Sequence, residues 1–409
     1  MPSPVSARAF FRDPLGYAIP GPGDGPLLRM RAGAAPQVLV RDPDAVWQVL
    51  VTDGDRYGVG KWKRRARRVH GPTLNTLNGA EHRTRRLALQ PAIGRPRVRE
   101  LGGVLDARLG GAGADWEPGL PVALRDELFT LSIGATADVL LSVELGANAR
   151  RLALDLAQLM AALPRLRPPA LVAQHRAALQ SVRSFADGLI AARREGAQGR
   201  PGDLLELLLG LGVADEVVRG EIIAFLLAAA EEPARALEAA WWLLARDEEA
   251  DRRLAQELRC VLAGRAPTLA DLDTLPWMRA VLDEALRLNP PARYIDRCPA
   301  GVMAVAGEQI PKGANLLISP LVSHRDARHF PEPEAFRPER MLGERRGTPR
   351  GAFIPFGAGV HACIGEPLAR AIMGLQVAAI AGRWRLAIDP AAPEPTPRTP
   401  PLWVVPEPR

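Results

Sequence analysis

Cysteine is nearly absent, with three in 409 residues. Three thiols cannot staple so long a chain, and an odd number leaves at least one free. A disulfide scaffold is excluded and a reducing compartment is expected. Lysine is as scarce: Lys61, Lys63 and Lys312 are the only ones among 53 basic residues. Long apolar runs are missing too. No window approaches the roughly 20 apolar residues of a membrane helix. The most apolar stretch, 222–230, ends at Glu231. The N-terminus, MPSPVSARAFFRDPLG, is interrupted by Pro and Arg and does not read as a secretory signal. A cytoplasmic protein without a membrane anchor is expected.

What is present is 47% hydrophobic and 24% charged, with a net charge of +7. That apolar content excludes a disordered chain. The modest basic excess is arginine in an Ala-, Gly- and Pro-rich chain, the style of a GC-rich genome. Nucleic-acid binding is not expected from it.

Leu and Ala at three- and four-residue spacing predict helices over most of 81–213. Breaks are expected at 110–111, 164–169 and 199–202. One or two long helices are expected over 215–263. Another covers 276–288, where Asn289-Pro290-Pro291 stops it. Strand signals fall at 38–40, 302–305 and 315–318, and a late helix is expected over 363–384. Residues 1–30 read as irregular, and 61–71, KWKRRARRVHG, as a basic loop. With no repeat and no linker, one mainly α domain with a small β part is expected over 31–409.

Residues 353–370 read FIPFGAGVHACIGEPLAR. The glycines allow a tight loop and the close approach of a flat ligand. A cysteine just before a helix has peptide N–H groups aimed at its sulfur, which favours the thiolate. A thiolate is what a haem iron needs on its proximal side to activate an O–O bond. The arrangement of Phe356, Gly359, His361, Cys363 and Gly365 fits F-x-x-G-x-[RH]-x-C-x-G, and with it the chain resembles the cytochrome P450 family.

The resemblance covers about 42–370. It implies the P450 fold, with haem between the long central helix and the cysteine loop. Cys363 would be the iron ligand, with Phe356 and Gly357 in the haem-binding loop. His82 and Arg86 lie four apart on a helix, where two cations repel unless an anion sits between them. By resemblance they bind haem propionates, together with Arg297 and His361. Glu284 and Arg287 would form a structural triad with Arg340 of FRPERM. Cys260 and Cys298 are read as packing residues, and His324 and His329 of SHRDARHF are not read as a metal site.

One segment departs from the family. Its central helix normally carries A-G-x-[DE]-T, and here the aligned residues are Ala229-Ala230-Glu231-Glu232-Pro233. The acid is kept as Glu232, but the threonine is Pro233. Proline offers no N–H to the Ala229 carbonyl and clashes with it, so a kink is expected. The catalytic candidates are therefore Glu232, Pro233 and Ala229. Protons would travel through water held by Glu232 and the freed Ala229 carbonyl, or through a substrate hydroxyl. A carboxylate common in the family nine or ten residues after the cysteine is also missing, at Ile372 and Met373.

The resemblance implies a haem-thiolate monooxygenase fed by a ferredoxin-type donor and its reductase. Its substrate would be a lipophilic small molecule, in bacterial specialised metabolism. Pro233 keeps one alternative open, a peroxygenase or an oxidative cyclisation or coupling enzyme. A second alternative is a non-catalytic haem-binding protein.

Overall fold

The structure, a computed structural model, describes residues 5–18, 24–31, 36–162, 169–343, 348–396 and 399–409. It is about 56% helical with a small β part. Two compact units emerge: Met1–Arg85 with Asp283–Ile364, and Arg86–Leu282 with Gly365–Arg409.

The first unit is built on a six-stranded sheet. Its spatial order is Val5–Ser6, Leu27–Arg31, Gln37–Val40, Asn315–Ile318, Ile295–Pro299, Tyr57–Val59. Gln37–Val40 runs parallel to Asn315–Ile318, with Val38 opposite Leu316. These strands are apolar on both faces because both faces are covered. Val38, Val40, Leu316 and Ile318 join one core, while Leu39 and Leu317 join another with Phe10 and Met30.

Two expectations fail in this unit. Residues 1–30 are not irregular throughout: the described part holds the helices Ala7–Arg12 and Pro14–Ala18 and two of the strands. Phe10 is the anchor, fully buried against the sheet. Tyr57, in the strand Tyr57–Val59, is a core residue as well. The basic loop is a helix, Lys61–His70. Its first-turn donors are capped from far along the chain. Gly60 N–H donates to the Asp296 carbonyl (3.2 Å), Lys61 N–H to Asn315 Oδ1 (3.2 Å) and Trp62 N–H to Asp296 Oδ2 (2.9 Å). A helix end needs such partners, and here no local residue supplies them. Gly71, at φ 77°, ends the helix.

The second unit is helical around Asp215–Leu244, which packs along Leu124–Leu141. Glu238 of the central helix is buried and accepts from Arg125 Nε and Leu402 N–H, each at 2.7 Å. The 215–263 region is two helices, the second being Glu248–Leu262 with Asp247 accepting from Ala250 N–H at 2.9 Å. Cys260 is exposed, not packed. The buried face of its helix is Leu254, Leu258 and Leu262, four residues apart, and Cys260 lies off that stripe. The late helix is Glu366–Arg383, and Trp384 opens a strand paired with Trp403–Pro408. Part of the break expected at 164–169 lies outside the described residues.

Candidate functional site

The cysteine loop belongs to the first unit. Cys363 N–H donates to the Phe356 carbonyl at 2.8 Å, closing the loop around the turn Gly359–His361. Gly357 and Gly359 have φ of 69° and 70°. At Gly359 an added Cβ would lie 1.8 Å from the Leu50 carbonyl oxygen, so the loop's own packing demands glycine there. Cys363 is exposed and lies three residues before the helix Glu366–Arg383, not inside its first turn.

Of the other candidates, His82, Arg297 and His361 belong to the same unit as this loop. His82, on the helix Gly79–Leu89, is 3% exposed. Its ring packs against that of His361, tilted by 40° with centroids 4.0 Å apart. Arg86 follows one turn later, half-buried, and is the first residue of the second unit. Arg297 lies in the strand Ile295–Pro299, opposite Val59. It is 4% exposed, and its Nη1 donates to the Asp296 carbonyl at 3.0 Å. Among the described residues it forms no ion pair with a carboxylate. Burial pushes its guanidinium down to about 10.

Lys63, on the helix Lys61–His70, is half-buried, and desolvation pushes its ammonium down to about 8, with the charge of Arg297 pushing the same way and Asp296 and Cys363 opposing. Buried cations are costly unless an anion joins them. The residues fit a haem: an exposed thiol for iron, and a buried arginine and a pair of packed imidazoles for carboxylates.

The Glu284 group differs. Arg287 donates Nε and Nη2 to the two Glu284 oxygens at 2.8 Å, with both side chains wholly buried. Arg340 Nε reaches Glu284 Oε1 at 3.0 Å. Arg287 also donates to the carbonyls of His324, Pro333 and Ala335. His324 is buried, accepts from Ile354 N–H at 3.0 Å and is pushed down to about 3, so it is neutral.

In the second unit the central helix runs unbroken through the buried Pro233. The Ala229 carbonyl thereby lacks its in-helix donor. Glu231 is tied to Arg235 at 2.6 Å. Glu232 is not tied: its Oε2 is shielded and has no hydrogen-bond partner. Burial, reinforced by Glu231 and opposed by Arg235, raises its carboxyl to about 7.

Comparison with known proteins agrees with this geometry. The family model "Cytochrome P450" matches residues 145–409. Cyclooctatin synthase of Streptomyces melanosporofaciens is 32% identical over 99% of this chain and 94% of its own. Cyclooctat-9-en-7-ol 5-monooxygenase of the same organism is 34% identical, covering 92% and 86%. In fold, the chain is similar to the retinoic acid-bound cyanobacterial CYP120A1, with TM-score 0.82 and 23% identity over 94% of this chain and 92% of that one. Aligned with its relatives almost end to end, the chain belongs to the cytochrome P450 family, as an oxidoreductase of the monooxygenase type.

Proposed function

We propose that this protein oxidises a lipophilic, terpene-like small molecule in bacterial specialised metabolism, using electrons from a separate ferredoxin-type donor and its reductase. The carrying observation is the exposed cysteine in a loop closed by its own backbone, in the same unit as a buried arginine that forms no ion pair with a carboxylate among the described residues. In this reading Cys363 ligates the haem iron, within the loop opened by Phe356 and Gly357. His82, Arg86, Arg297 and His361 hold its propionates. Bound haem supplies the dioxygen-activating chemistry.

The chain's own residues supply position and protons. Glu232, raised to about 7, holds a proton at its carboxyl and releases it near neutral pH. The freed carbonyl of Ala229 holds a water one turn away. Pro233 contributes no hydroxyl, so a substrate hydroxyl is the other proton route. The substrate class follows from relatives: those named for cyclooctatin, cyclooctat-9-en-7-ol and pentalenene are terpene-modifying enzymes of Streptomyces. A net charge of +7 suits an acidic electron donor. No helix among the described residues is long and apolar enough to cross a membrane.

The test is the carbon monoxide difference spectrum of the reduced protein. The band of thiolate-ligated haem is expected in the wild type and absent in Cys363→Ser. The same band in both would overturn the assignment. Cyclic terpene hydrocarbons and alcohols should then shift the ferric haem toward high spin, and a screen without any shift removes that substrate class.

Pro233 favours a second reading, a peroxide-driven or oxidative-coupling enzyme. Turnover with hydrogen peroxide as fast as with the ferredoxin system would support it. Turnover only with the electron donor would remove it.

A further inference from the structure

The second unit holds a cleft of about 670 Å³, the size of a small-molecule site. None of the residues assigned above to haem or to proton transfer lines it. Its walls come from the helices Arg95–Glu100, Gly102–Leu109, Pro276–Leu288 and Glu366–Arg383 and from the turn Leu269–Thr274.

The floor of the cleft is apolar, with Val98, Met278 and Met373 buried there. Its packing is tight: Gly374 is glycine because a Cβ would meet Leu272 Cδ1 at 2.8 Å. At Gly103, which also lines the cleft, the opposite holds. A Cβ added there meets nothing within 4 Å, so the space beside that helix is open.

The rim is cationic. Arg95, Arg99, Arg279 and Arg370 line the cleft against two carboxylates, Asp106 and Asp273. Arg95, Arg99 and Arg279 are exposed and make no ion pair with a carboxylate among the described residues. Arg370 shares Glu366 at 2.9 Å. Asp106 already accepts from Leu269 N–H at 2.6 Å. Guanidinium groups present planar forks of N–H donors that match carboxylate and phosphate. A hydrocarbon chain on the floor with an anionic head at the rim satisfies both halves of the cleft.

We propose that this cleft is a ligand site separate from the oxidation site, and that it takes an amphipathic anion, a carboxylate or phosphate head on a hydrocarbon chain. Fatty acids and prenyl diphosphates are two sources of that chemistry, and the preferred head group separates them.

The experiment is calorimetric titration of the full-length, haem-loaded enzyme with laurate, farnesyl diphosphate and inorganic pyrophosphate, with the haem spectrum followed in parallel. At least one of the two amphipathic anions is expected to bind without shifting that spectrum. Tighter laurate marks a fatty-acid site, and tighter farnesyl diphosphate a prenyl-diphosphate site. Binding should weaken about tenfold or more in Arg99→Glu/Arg279→Glu, and by a similar factor in Gly103→Trp, which fills the open space. Both variants should keep the wild-type melting temperature, because no internal ion pair is lost. The inference is overturned if neither anion binds the wild type, or if the charge-reversed variant binds them as tightly. It is equally overturned if Gly103→Trp binds like wild type, or if pyrophosphate alone binds as well as farnesyl diphosphate, since either marks a bare charged surface.

Discussion

Arg287 and Arg297 stand ten residues apart in one unit, both almost wholly buried, and their surroundings are opposite. Arg287 has every donor answered, by two carboxylate oxygens and three carbonyls. Arg297 has one carbonyl, and the Asp296 carboxylate acts on it only through space. The first arrangement is complete as folded and is structural. The second has donors to spare, which is what the haem site proposed above requires. Burial alone therefore does not separate structural from functional charges, whereas the tally of partners does.

The largest test of that contrast is Glu284→Gln. It strands Arg287 and Arg340 without their carboxylate, and breaking such a buried group costs about 3–5 kcal/mol. Thermal unfolding is expected to fall by well over 5 °C or the chain to fail to fold. Stability within 1 °C of wild type would erase the distinction. Arg297→Gln should do the reverse. Haem loss to apomyoglobin is expected to quicken about tenfold or more, by the 1.5–3 kcal/mol of a charged hydrogen bond. Unfolding of the haem-stripped chain should stay within about 1 kcal/mol, because no internal ion pair is lost.

Glu232 sharpens the comparison from the acidic side, with the smallest effect. Its folded value of about 7 lies above the ordinary 4.5. The stability its neutral form contributes is complete below about 4.5 and is lost as pH rises through 7. Glu232→Gln should then match the wild type at pH 4.5 and exceed it at pH 8 by on the order of 2 kcal/mol. Parallel unfolding curves across that range would mean the carboxyl has a compensating partner. The same variant should slow product formation per reduced cofactor consumed, if the proton route runs through this carboxyl.

Local pattern made much of this legible. The helix Pro276–Leu288 and the strand Asn315–Ile318 coincide with their expected bounds, because prolines and apolar alternation are written locally. The cysteine loop and the Glu284–Arg287–Arg340 group were found by motif. The helix Lys61–His70 was not, because its caps come from Asp296 and Asn315 and basic residues crowd its thin apolar stripe of Trp62, Ala66 and Val69. Cys260 was misplaced because Leu258 and Val261 beside it suggest core, while its helix buries residues spaced by four.

The parallel pairing of Val38 with Leu316 joins positions roughly 280 residues apart. During synthesis at about 5–20 residues per second, the N-terminal strands wait on the order of 15–60 s for their partner. Until then Gln37–Val40 is an unpaired apolar edge, the kind that recruits other chains. The strand bearing Arg297 and the loop bearing Cys363 arrive in that same late stretch. On the haem site proposed above, the cofactor can therefore be captured only near the end of translation, and expression that outruns haem supply or chaperones should yield aggregate rather than soluble, haem-free protein.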